Sequence, residues 1–142
     1  MSPVQIHTGR GARSARAYAD VGLETRVSGA TPEQLITLLF DGALAAIAKA
    51  RLYMRNGDTR GRGEALSKAI DIVESGLKAG VDQAAGGELA RNLVEVYDMA
   101  IRHLLLANMN ADGASLDLAE RLLADIGGAW REIANARPPG TR

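Results

Sequence analysis

The chain has 142 residues, with 17 Lys plus Arg balancing 17 Asp plus Glu, and no cysteine. Zero formal charge argues against a protein whose main work is gripping phosphate backbones, because that affinity comes from accumulated positive charge. Without cysteine there is no disulfide, thiolate metal site or thiol nucleophile, and the length suits one domain with a real core.

Residues 1–17 read as a flexible N-terminal tail. Arg10, Arg13 and Arg16 stand there without an apolar segment, so a secretory signal is not expected. No stretch approaches the ~18 uninterrupted apolar residues of a membrane span, and a cytosolic location is expected. Tyr18, Val21 and Leu23 anchor a short arm or helix, and residues 23–29 read as a connector.

The first long helix is predicted over 32–55. Thr31 can cap it, Pro32 fits its first position, and Glu33 and Gln34 fall in its first turn. Leu35, Leu39, Ala43, Ala46 and Ala50 form one stripe; Ile36, Phe40, Leu44, Ile47 and Met54 form a second beside it. The combined arc of roughly 200° exceeds the stripe of about 100° that covers a core. Such a helix is either the centre of a bundle or has a second face for something else.

Asn56-Gly57-Asp58 ends this helix, with a left-handed residue closing it. The second helix is predicted over 61–81, burying Leu66, Ile70, Val73 and Leu77, with Ala69 and Gly76 at close approaches. Ile72 falls about 120° from that stripe. After a Gly-rich break at 82–87, the third helix is predicted over 88–108, burying Leu89, Leu93, Tyr97, Ala100 and Leu104. Val94, Ile101 and Leu105 cluster about 100° round from these.

The fourth helix is predicted over 115–135, capped by Ser115. Leu116, Ala119, Leu123, Ile126, Trp130 and Ile133 share one face. Gly127-Gly128 costs about 1 kcal/mol per Gly inside a helix, which calls for close packing of Gly127 near the seam. Residues 136–142 read as a disordered C-terminal tail. Four helices with short polar turns predict an all-α fold, an antiparallel up-down four-helix bundle over 18–135.

Chemistry is scarce. A di-iron site in such a bundle needs Glu-x-x-His on two helices, whereas Ala100 precedes His103 by three positions and His7 lies in the tail. His103 also falls about 80° off the buried stripe, which suits an edge histidine better than a haem ligand. There is no P-loop, and Gly61-Arg62-Gly63 lacks the third glycine of a dinucleotide site. Asp41 and Asp98 read as solvated or helix-bridging charges. No metal, cofactor or enzymatic activity is expected. The second apolar stripes are then ordinary core or grooves for a partner's amphipathic helix.

A resemblance bears on that choice. Tyr18, Ala30-Thr31-Pro32-Glu33-Gln34-Leu35-Ile36, Leu39-Phe40-Asp41-Gly42-Ala43 and Ala50 resemble the opening of the flagellin export chaperone family, FliS, where Ser/Thr-Pro is followed by Leu-Tyr-Asp-Gly. Lys68-Ala69-Ile70-Asp71-Ile72-Val73 is similar to the family's second helix. Gly86-Gly87-Glu88-Leu89-Ala90-Arg91-Asn92-Leu93, then Val96-Tyr97-Asp98-Met99, Leu104 and Ala107-Asn108, are similar to its third. Leu122-Leu123 and Ala129-Trp130 continue the likeness. Phe40 replaces the usual Tyr, and Val96-Tyr97-Asp98-Met99 replaces Leu-Tyr-Asp-Tyr.

The resemblance implies a cytosolic helical bundle that binds the disordered C-terminal region of flagellin in apolar grooves. It would prevent premature polymerisation and aid delivery to the flagellar secretion gate. An anti-sigma factor and an export-gate component are further implied partners. Expected contacts are Ile36, Phe40, Ile47, Ile72, Val94, Ile101 and Leu105, with Tyr18 anchoring an arm that competes for the groove. The rival reading is a bundle whose second stripes pair with another copy of itself, a homodimer without flagellin binding.

Overall fold

The computed structural model describes residues 29–136, apart from the side chains of 83–85. The tail and arm expected over 1–28, Tyr18 included, and residues 137–142 lie outside the described residues. The secondary structure described is wholly helical: α1 (Pro32–Arg55), α2 (Thr59–Asp71) running into a π-helical turn (Ile72–Lys78), α3 (Gln83–Asn110) and α4 (Gly113–Ala136).

Helix α1 starts where its sequence says it should. The Gln34 amide donates to Thr31 Oγ1 at 3.1 Å, and the Thr31 amide donates back to Gln34 Oε1 at 3.0 Å. This reciprocal capping box satisfies two N-terminal donors and leaves Pro32, which has none, at the first helical position. Both apolar stripes of α1 turn inward. Leu39, Ala43, Ala46 and Ala50 are buried from one stripe, Phe40 and Ile47 from the other. The wide arc exists because α1 packs on two sides, against α2 with its π turn and against α4.

Two turns share one construction. At the end of α1, Gly57 takes φ 72°, the Asp58 amide donates to Tyr53 O at 2.9 Å, and the Gly57 amide donates to Met54 O at 3.3 Å. Asp58 then caps α2 by accepting from the Gly61 amide at 2.9 Å, so α2 begins two residues earlier than predicted. At the end of α3, Ala111 takes the left-handed position with φ 50°, and the Asp112 amide donates to Ala107 O at 3.1 Å. These are left-handed helix ends of the kind that close a last turn.

Asp112, not the predicted Ser115, caps α4. Its carboxylate accepts from the Ala114 amide at 3.0 Å, the Ser115 amide at 3.4 Å and the Ser115 hydroxyl at 2.9 Å. The Ser115 hydroxyl, followed by the backbone amides, holds this carboxyl below its usual range. Ser115 therefore lies buried inside the first turn, donating rather than capping.

The second helix departs from the sequence reading over 72–78. There the Ala79 amide donates to Glu74 O at 3.2 Å, a bond spanning five residues instead of four. The wider ring changes which residues face inward. Ile72 and Val73, adjacent in sequence, both reach 0% exposure, and Ser75 is buried as well. Ile72 itself precedes the widened ring: its amide still donates to Lys68 O as in an α-helix, and it continues the side on which Ala65 and Ala69 are buried.

The helices form a closed ring: α1 on α2, α2 on α3, α3 on α4, and α4 back on α1. Polar pairs bridge neighbours with a regular sense. From Asp41 to Arg51 along α1, the α4 partners run backwards from Arg131 to Asp117 and Glu120. From Arg62 to Lys78, the α3 partners run backwards from Asn108 to Asp98. Asp41 and Asp98 are thus helix-bridging charges. Exposed pairs of this kind add little stability; their main effect is on register.

The centre of the ring is Phe40. Its ring centroid lies 6.2 Å from that of Tyr97, tilted by 43°. A Cβ on Gly127 would come within 3.0 Å of the Phe40 ring, so the close packing expected of Gly127 is present. Gly128, by contrast, faces open space. Burial pushes the Tyr97 hydroxyl's pKa up to about 12, against a smaller lowering from the neighbouring Trp130 indole.

Candidate partner-binding site

The apolar surplus sits on α3 rather than on α1. Of the exposed large apolar side chains, Leu89, Met99, Leu105, Leu106 and Met109 all belong to α3. Leu89 was expected in the core and is instead 69% exposed. The α3 backbone leaves helical geometry at Gly87, with φ 59° and ψ −132°, and just beyond this break Leu89 stands on the rim of a cavity. Ile133, also expected in the core, is 47% exposed. The inward position at that end of α4 passes to Ala134.

That cavity, about 320 Å³, opens at the end of the ring where α1 and α3 begin and the π turn ends. Ile36 of α1 contributes one wall. Gly76, Leu77, Gly80 and Val81 form a second, and Leu89, Ala90, Leu93 and Tyr97 form a third. Trp130 of α4 closes the remaining side, with Asp82 as the charged residue among its lining. A concave, carbon-lined surface of this kind binds apolar groups by removing them from water.

The expected contact residues divide into three groups. Ile36 lines the cavity. Val94 and Ile101 are half-buried on α3, Ile101 packing partly on the core, while Leu105 is 50% exposed. Phe40, Ile47 and Ile72 are core residues of this structure, each at most 1% exposed. They are corrected here from groove lining to core: α1 spends its second face on α4, and Ile72 continues the buried side of α2 that carries Ala65 and Ala69. The residues missed by periodicity are Leu89, Gly80 and Val81. The Gly-rich break marked their neighbourhood, but helical spacing carries no sign of a cavity.

No group of three or more His, Cys, Asp or Glu among the described residues is placed to hold a metal ion. His103 is half-buried, and its Nδ1 makes no hydrogen bond. Among the described residues no helix is long and apolar enough to cross a membrane.

Residues 14–137 match the family described as flagellar protein FliS. The flagellar secretion chaperone FliS of Salmonella typhimurium is 50% identical over 123 residues, covering 87% of this chain and 91% of that protein. The protein of the same name from Escherichia coli is 40% identical over 85% of this chain and 89% of its own length. The flagellar secretion chaperone FliSB of Pseudomonas aeruginosa is 36% identical over 87% of this chain and 97% of its own length.

Proposed function

The chain belongs to the flagellar FliS family, and on that premise we propose that it is an export chaperone for flagellin. It binds the disordered C-terminal region of flagellin in the cytosol, holds it from polymerising, and presents it to the flagellar secretion system. The observation that carries this reading is the apolar cavity, with Leu89 exposed on its rim and Met99, Leu105, Leu106 and Met109 exposed further along α3. A disordered segment that folds on binding loses about 2–5 kcal/mol in ordering. Wide apolar burial offsets that loss better than a few polar contacts, and the site is built from carbon.

In this reading Ile36, Val94, Ile101 and Leu105 touch the bound segment, with Leu89 added to them. Tyr18 anchors an arm that competes for the same surface. The register of the cross-helix pairs supports an antiparallel up-down bundle, which lays α3 alongside both α2 and α4. An anti-sigma factor and an export-gate component are the further partners that family membership implies.

Light scattering on a sizing column separates this from the self-association rival. A monomer that forms a one-to-one complex with the flagellin C-terminal segment is expected. A constant dimer indifferent to the segment contradicts it.

A further inference from the structure

The chain holds no cysteine, so a peroxide meets thioethers in it and no thiols. Three methionines lie among the described residues, and their surroundings differ. Met54 is half-buried and packs against the core. Met99 is 39% exposed, and Met109 is 73% exposed, more than any other large apolar side chain among the described residues. Both exposed thioethers stand on α3. Met109 follows Leu105 by four residues and Leu106 by three, the spacings that bring helical side chains onto one face.

The helix end beside Met109 is closed by other groups. Arg62 donates to Asn108 O at 2.9 Å, and the Asp112 amide donates to Ala107 O at 3.1 Å. A chemical change at the Met109 side chain therefore alters the surface and leaves this closure in place. Met54 is the opposite case, because a polar group there enters the core.

The change is an oxygen transfer. The thioether sulfur attacks one oxygen of hydrogen peroxide, and the S–O bond forms as the O–O bond breaks. The departing hydroxide takes the proton from the transferred oxygen and leaves as water. Sulfur gives up two electrons, the peroxide gains them, and methionine becomes its sulfoxide. An apolar partner that covers the new oxygen strips its water without supplying a donor.

We infer that Met109 is an oxidation site on the partner surface of α3, where a peroxide turns an apolar contact into a polar one and weakens binding. Met99 is the slower second site on the same helix. The effect on binding rests on the reading that this chain takes the flagellin segment; the site of oxidation does not. Sulfoxide reductases return the thioether, so the change is reversible.

The test treats the full chain with hydrogen peroxide, removes the peroxide and locates sulfoxide by mass spectrometry of its peptides. Of the three, Met109 is expected to oxidise first, Met99 next and Met54 last, with the order lost in denaturant. Calorimetry with an untreated flagellin C-terminal segment should show about a 10-fold loss of affinity for chain oxidised at Met109, with circular dichroism unchanged. A sulfoxide reductase should restore the affinity. Met109→Leu keeps the volume without the sulfur. It should bind within about 3-fold of the parent and hold that affinity through a treatment that spares Met99. Met99 or Met54 oxidised ahead of Met109, helix lost as Met109 oxidises, an oxidised chain that binds like the parent, or an equal loss in treated Met109→Leu overturns the assignment. A parent that binds no segment before treatment overturns the flagellin reading and the effect on binding with it, while the order of oxidation still decides the site.

Discussion

Adjacent glycines in α4 have opposite reasons to be glycine. Gly127 is buried against the Phe40 ring, with a Cβ approach of 3.0 Å, while Gly128 faces open space. Replacing Gly128 by alanine should stabilise the chain by about 0.5–1 kcal/mol through helix propensity alone. Gly127→Ala gains the same term and then crowds a packed ring, a fault that costs about 1–3 kcal/mol, so it should melt below Gly128→Ala and below the parent. Thermal denaturation of the pair measures both. Tyr97 supplies a pH signature. Its folded pKa of about 12 exceeds the ordinary tyrosine value of 10.0. The unfolded chain therefore ionises first, and this contribution is fully present below pH 10 and lost as pH rises from there toward 12. Denaturant unfolding across that range should show the fall, and Tyr97→Phe should remove most of it.

At the scale of elements, the helix ends carry the clearest lessons. Thr31-Pro32 and Asn56-Gly57-Asp58 were legible because few residue types suit those positions. The α3–α4 turn was harder. Asp112 and Ser115 both belong to the capping types, and three-dimensional proximity decides between them, with the aspartate accepting from the serine. Ala111 holds a left-handed conformation that glycine adopts without penalty. Ala111→Gly should therefore raise stability by about 1 kcal/mol, read as a higher midpoint in urea at unchanged slope. The π turn had no sequence signal at all. A wheel drawn at 100° per residue assumes the ring size that 72–78 does not keep. Phe40, Ile47 and Ile72 were misread for a related reason: an apolar residue at helical spacing looks the same whether a neighbouring helix or a partner covers it. Leu105, half exposed on α3, is the better probe of the partner surface. Leu105→Asp should leave helical content intact and weaken segment binding by about 10-fold, measured by calorimetry beside circular dichroism.

For the whole molecule, a ring of helices leaves two kinds of apolar surface. The inner surface is closed around Phe40, with side chains from all four helices meeting there. The outer surface is unequal: α1 is spent on its neighbours, while α3 keeps exposed apolar side chains from Leu89 to Met109 and lines the cavity at its start. The bundle and its approximate helix bounds could be read from composition, capping residues and spacing. The cavity could not, because it is a volume left between the π turn, Gly80 and the kinked start of α3. The central claim is that this surface orders a disordered flagellin segment by burying apolar groups. It is tested most directly by titrating the chain with that segment at several temperatures, with circular dichroism on the mixture. Tight one-to-one binding, a strongly negative heat-capacity change and a gain of helix beyond the sum of the parts are predicted. A folded chain that shows no binding at any temperature, or binding without either signature, contradicts it.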